Sequence, residues 1–186
     1  MHLLRLLRIF IPLLIVAAIV AGTVLVLTSR SELQRSHKQV ESSWGPLRRQ
    51  LDTRFANLDA ANQEVSTVPG PLHEVVTDVT TAYAEWTDLE QPGGGGVTAE
   101  VNAANKLESL GRRLVQAARR APRLAGNVAA LAKVNAFAAL KAPAAASRFD
   151  DAVDHFERER NRPARTIAAR ILGYGSIPTY VPPTPA

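Results

Sequence analysis

Cysteine is absent from the 186 residues, and methionine occurs once. Disulfides, thiolate metal sites, iron–sulfur clusters and a cysteine nucleophile are therefore excluded. A cysteine-free chain tolerates either redox compartment. Aromatic residues are only 5% of the chain, so the core must be built mainly from Leu, Val and Ala. Two stretches lack charge of a given sign. No charged residue falls between Arg8 and Arg30, and no lysine or arginine falls between Arg54 and Lys106. Sustained alternation of apolar and polar residues is also missing, which argues against a sheet.

The first of these gaps runs from Ile9 to Ser29 and is almost wholly apolar. Twenty-one residues of helix rise about 31 Å, the thickness of a bilayer core. Pro12 lies in its first turn, where a missing N–H costs little. A cleaved signal peptide would have an apolar region of about 7–15 residues ending at small side chains. Val20-Ala21-Gly22 imitates such an end, but Val24 to Leu27 continue apolar beyond it. The length favours an uncleaved single-pass anchor over residues 1–29. Arg5, Arg8 and the amino terminus precede the span, and Arg30, Arg35 and Lys38 follow it. The two flanks nearly balance, so the positive-inside rule leaves the side of the domain open.

Beyond the anchor the apolar spacing is helical. Leu47, Leu51, Phe55, Leu58 and Val65 recur at three- and four-residue steps. Leu72, Val75, Val76, Val79, Tyr83, Trp86 and Leu89 form a second stripe, and Val101, Leu107, Leu110, Leu114 and Ala118 a third. Leu124, Val128, Leu131, Val134 and Leu140 form a fourth, followed by Phe149, Val153 and Phe156. Each stripe marks one buried face of a helix. Breaks are expected at Val68-Pro69-Gly70-Pro71 and at Gln91 to Gly96, with Thr98 as an N-cap. Pro122 suits a first-turn position, and Ala142-Pro143 is expected to bend the last long helix. At Gly45-Pro46 the anchor helix either continues or a new helix begins. The spacing predicts an all-α chain: an antiparallel up-and-down bundle of four-helix type over 30–175, then a Pro-rich tail over 176–186 that is extended or disordered. A short segment opening at Pro163 and stopping at Gly173 carries Ile167, Ile171 and Leu172 on one side, and this side is expected to pack on the bundle.

Charge is unevenly placed. Residues 30–91 hold six basic and ten acidic groups, and residues 92–141 hold eight basic and two acidic ones. The simplest arrangement is an acidic helix pair beside a basic helix. A surface contacting anionic lipid or a partner would use Arg112, Arg113, Arg119, Arg120 and Arg123. Those arginines lack interleaved aromatics, so nucleic acid is not expected. Asp151, Asp154 and His155 share a helix face at ligand-like spacing, but Arg148, Arg158, Arg160 and Arg162 surround them, as on a solvated face. Gly93 to Gly96 has no following Lys-Ser or Lys-Thr and reads as a linker. No cofactor, metal, small-molecule substrate or catalytic constellation is expected. Trp44 serves either as a core anchor or at the membrane interface.

Several segments carry a resemblance. Trp44 with Gln50-Leu51 and Arg54, the stretch Arg120 to Asn127, and Arg148-Phe149-Asp150-Asp151-Ala152-Val153 resemble motifs of the LemA family of membrane proteins. Pro163, Ile167-Ala168, Leu172-Gly173-Tyr174 and Tyr180 are similar to that family's closing pattern. The family's Asp-Leu-x-Pro-Asn segment is absent here, its Tyr-Asn pair is Phe149-Asp150, and its Glu is replaced by alanine near Ala139. The resemblance implies a helical bundle on a membrane anchor, acting through other membrane or membrane-associated proteins. It implies no catalytic residues. The alternative function is an extracytoplasmic ligand-sensing bundle working through a partner membrane protein, with a pocket near Tyr83, Trp86 and Asn105.

Overall fold

The computed structural model describes residues 2–68, 72–89 and 95–182, without the side chains of residues 2–28, 123, 125 and 164. The expected breaks at Pro69 to Pro71 and Gln91 to Gly94, and the side chain of Arg123, lie outside that description. The described chain is helical, with no strand. Six α-helices follow in order: α1 (His2–Ser66), α2 (His73–Asp88), α3 (Gly96–Arg120), α4 (Val128–Ala138), α5 (Ala146–Arg160) and α6 (Pro163–Leu172). A 3-10 turn at Pro122–Gly126 joins α3 to α4, with proline in its first turn as its fixed φ favours. Among the residues with described side chains, no helix is long and apolar enough to cross a membrane. The Ile9–Ser29 run lies outside them except for Ser29.

Helix α1 is one uninterrupted element of 65 residues. It passes through Gly45 and Pro46, where the proline removes one backbone hydrogen bond. Trp44 and Leu47, both buried, hold the helix against its neighbours on either side of that gap. The buried row of α1 is Leu33, Ser36, Val40, Trp44, Leu47, Leu51, Arg54, Leu58, Ala61 and Val65. Its steps of three and four residues make a seam of coiled-coil type.

The contacts divide into two compact units, Val40–Val153 with Ile177–Ala186, and Met1–Gln39 with Asp154–Ser176. In the larger unit the helix directions follow from cross-helix pairs. Asp52 of α1 meets Trp86 of α2, and Asn62 meets Val76, so α1 and α2 are antiparallel. Lys106 meets Glu85, and Arg113 meets Asp78, so α2 and α3 are antiparallel too. Arg48 pairs with Glu100 and Arg54 with Glu108, which makes α1 and α3 parallel. Trp44 packs on Phe149 and Gln50 accepts from the Ala145 N–H, so α5 runs back along α1. The core combines Phe55, Trp86, Leu107, Leu114 and Phe149, all essentially inaccessible to solvent. Burial of each such side chain is worth roughly 1.5–3 kcal/mol.

Three local expectations change. Helix α3 begins at Gly96, so Thr98 lies inside it and is not its cap. Ala142-Pro143 lies in the connection between α4 and α5 and does not bend one long helix, since α4 already closes at Ala138 with the Leu140 N–H turned to the Phe137 carbonyl. The fourth stripe holds at Leu124 and Val134, but in α4 the buried row is Ala130, Val134 and Phe137, since Asn127 caps α4 by accepting from the Ala130 N–H at 3.0 Å and sets a new phase. Val128 is consequently 78% exposed.

In the smaller unit, Ala168 and Ala169 of α6 pack on Leu33 and Tyr174. His37 lies between Phe156 and Tyr174, with ring centroids 5.5 and 5.1 Å away. Gly173 ends α6 at φ 75°, the expected left-handed stop. The Tyr174 N–H reaches the Ala169 carbonyl at 2.9 Å and that of Gly173 reaches Arg170 at 3.3 Å, the double closure of a Schellman end. The alanine side of α6 therefore faces inward, while Ile167 and Ile171, expected to pack, are exposed. Small side chains let α6 approach Leu33 closely, and the larger isoleucines are left outside.

Candidate functional site

Two buried carboxylates organise the larger unit, both from α3 and both met by arginines of α1. Glu100 accepts from the Trp44 indole N–H and from Arg48. Eight residues along α3, Glu108 is only 1% exposed. Arg54 binds it through Nε at 2.5 Å and Nη2 at 3.2 Å, a two-pronged pairing suited to the planar guanidinium. Arg54 also donates to the Leu140 carbonyl at 3.1 Å, and its guanidinium lies 4.8 Å from the Phe137 ring centre. One cation thus ties α1 to α3 and to the α4 end. At Gly111 a Cβ would come within 2.8 Å of Phe137, so glycine is what admits that ring beside α3.

The C-terminal tail completes this network. The Tyr180 hydroxyl donates to Glu108 at 2.7 Å. Burial raises the phenol's pKa far above its ordinary value, the Glu108 charge and hydrogen bond push it further up, and Arg54 and Arg112 act weakly in the opposite direction. The backbone is held by side chains on both sides of this anchor. The Tyr180 N–H donates to Asp150 at 3.0 Å, the Val181 N–H to Asn105 at 2.8 Å, and Asn105 donates to the Thr179 carbonyl at 3.0 Å. Ile177 is buried as well. Residues 174–182 form neither helix nor strand, and residues 177–181 are docked on the bundle.

The arginines of α3 face different surroundings. Arg113 pairs with Asp78 at 3.3 Å and with Glu74 at 3.8 Å. Lys106 pairs with Glu85 at 2.6 Å. Of the expected acidic helix pair beside a basic helix, α2 against α3 fits in these pairs, whereas between α1 and α3 the arginines are on α1 and the glutamates on α3. Arg112 is half-buried, close enough to Tyr180 to act on its ionisation. Arg119 and Arg120 are exposed in the last turn of α3, where cations complement the helix dipole. Arg120 also borders a shallow groove with Glu74, Val75, Arg113 and Gln116.

Trp44 is in the core. Asp151, Asp154 and His155 are exposed, and among the described residues no three His, Asp or Glu side chains are gathered for a metal ion. Trp86 points at Asp52 and Phe55 of α1, while Asn105 holds the tail, so the structure does not bring these two to one cleft. Sequence reasoning missed the buried ionic network and the docked tail. A signal for the first existed, since Glu108 lies on the apolar row of Val101, Ala104, Gly111 and Val115. No family model, curated protein or solved structure matches the chain.

Proposed function

We propose that the chain is a membrane-tethered helical-bundle interaction protein of LemA type, without catalytic activity, that presents its surface to other membrane or membrane-associated proteins. The observation that carries this reading is the charge-free run Ile9–Ser29, continuous in one helix with the bundle seam of α1. A single helix from anchor to core confines the bundle near the bilayer and raises its effective concentration toward membrane partners. The buried carboxylates support a structural role, because Arg54, Arg48, Trp44 and Tyr180 already occupy them. Exposed Arg119 and Arg120 are the first candidates for partner or anionic-lipid contact.

The test is extraction of membranes containing the full chain. Retention of the chain through alkaline carbonate, with release of a chain lacking residues 2–28, is the expected result. A full chain found in the soluble fraction would remove the reading. Reporter fusions at residue 29 and at the C-terminus then give the side of the bundle. A cytoplasmic bundle directs the partner search to inner-leaflet proteins, and an external one to envelope proteins.

A further inference from the structure

The outward side of α6 differs from an ordinary solvated face. Ile167 and Ile171 lie one turn apart and are 60% and 67% exposed. Pro163 and Arg170, both exposed, fall with them within an arc of about 100° at 3.6 residues per turn. Scattered exposed apolar residues are normal, so exposure alone decides nothing. Position and charge carry the argument. The opposite side of α6 is fixed on Leu33 through Ala168 and Ala169. Leu33 follows Ser29, the last residue of the charge-free run, by four residues of the same helix, about 6 Å along its axis. The polar layer of a bilayer is about that deep on each side of the hydrocarbon core. No aspartate or glutamate occurs after Glu159, and Arg30, Arg35 and Lys38 of α1 are exposed at the same level of the chain.

We propose that α6 is an interfacial helix: Ile167 and Ile171 seat at the boundary of headgroups and acyl chains in the bilayer that holds residues 9–29, with Arg170 at the phosphates. This rests on the membrane-anchor reading above. A short helix with an apolar face bordered by arginine lies in the interface plane in this way. Its partner is the lipid surface, and its contact supplements the anchor by fixing how the chain emerges from it.

The chain has no cysteine, so single-site nitroxide labels can be placed on the full protein in vesicles of mixed neutral and anionic phospholipid. Labels at Ile167→Cys and Ile171→Cys report the seated face, Val24→Cys reports the anchor, and Thr81→Cys on the exposed side of α2 gives the aqueous reference. Collision rates are measured with dissolved oxygen, which concentrates in lipid, and with a water-soluble nickel chelate. The expected result is a ratio of oxygen to nickel collisions at both isoleucine positions several-fold above that of Thr81→Cys, with Val24→Cys higher still. Isoleucine positions as aqueous as Thr81→Cys, with Val24→Cys in lipid, overturn the proposal and leave the anchor standing. Isoleucine labels shielded from both reagents overturn it in favour of contact with a second copy or another protein. An aqueous Val24→Cys overturns the anchor reading itself, and this inference with it.

Discussion

Arg54 is the residue on which most of the larger unit's polar interior converges. Its guanidinium satisfies Glu108 and the Leu140 carbonyl, while Glu108 also accepts from Tyr180. Breaking a buried pair from one side leaves an uncompensated charge, so Arg54→Met should cost about 3–5 kcal/mol in urea melts. Removing the whole set is a different experiment. Arg54→Met with Glu108→Leu and Tyr180→Phe leaves no unpaired charge at this site, and its stability should return to within about 1 kcal/mol of the parent. A triple variant as unstable as the single one would mean that the network is not what the single substitution disrupts. Tyr180 adds a pH dependence whose sign is fixed. Below about pH 10 the phenol is protonated in both folded and unfolded chains, and its contribution is constant. Above that, the unfolded chain ionises while the folded phenol, held up by burial and by Glu108, does not. Stability is then lost as pH rises. Melting temperatures measured from pH 9 to 11.5 should fall, and should fall less steeply in Tyr180→Phe. The ionic pair was legible in the sequence for anyone asking why a charge interrupts an apolar row, as Arg54 does between Leu51 and Leu58. The tail was not legible, because its anchoring depends on side chains of Asn105 and Asp150 that are remote in sequence.

Among the elements, periodicity located the helices better than punctuation located their ends. The stripes at Leu47–Val65, Leu72–Leu89 and Val101–Ala118 correspond to buried rows of α1, α2 and α3. Gly173 ends α6 as a glycine in the left-handed region should. The fourth stripe held at Leu124 and Val134 but missed at Val128 and Leu140, because a 3-10 turn and the Asn127 cap reset the helical phase, so residues four apart across Asn127 do not share a face. Gly45-Pro46 could not be decided from the sequence, since local propensity favours a break and only tertiary packing of Trp44 and Leu47 overrides it. That override has a measurable cost. Pro46 is exposed within a helix, and a Cβ at Gly45 would meet nothing within 4 Å. Alanine at these positions restores a backbone donor and reduces the freedom of the unfolded chain, gains of up to about 3 and about 1 kcal/mol. Gly45→Ala/Pro46→Ala should therefore raise the melting temperature by several degrees. A lowered one would show that the two residues serve a bend that the packing of α1 needs.

At the scale of the whole molecule, the uneven charge must be separated into what holds the fold and what is left for a partner. The acid of residues 30–91 and the base of residues 92–141 meet across α2 and α3 in Lys106–Glu85 and Arg113–Asp78, whose side chains are all exposed. Exposed pairs of this kind contribute about 0–1 kcal/mol and are screened by salt. The core rests instead on apolar burial and on the shielded Arg54–Glu108 pair, both little affected by ionic strength. Raising salt to 1 M should therefore shift the melting temperature only slightly. Any contact through Arg119 and Arg120 responds in the opposite manner. A polybasic contact with anionic lipid is worth about 1 kcal/mol for each arginine near the surface and decays within a Debye length. Vesicle binding by a chain lacking residues 2–28 should accordingly fall steeply between 0.05 and 0.5 M salt, and Arg119→Glu/Arg120→Glu should abolish the low-salt binding. If the run Ile9–Ser29 anchors the chain as proposed, the full chain should stay with the membrane under both treatments, because apolar burial is not an electrostatic interaction. Loss of the full chain into solution at high salt would mean that the arginines, and not the apolar run, are what tether this protein.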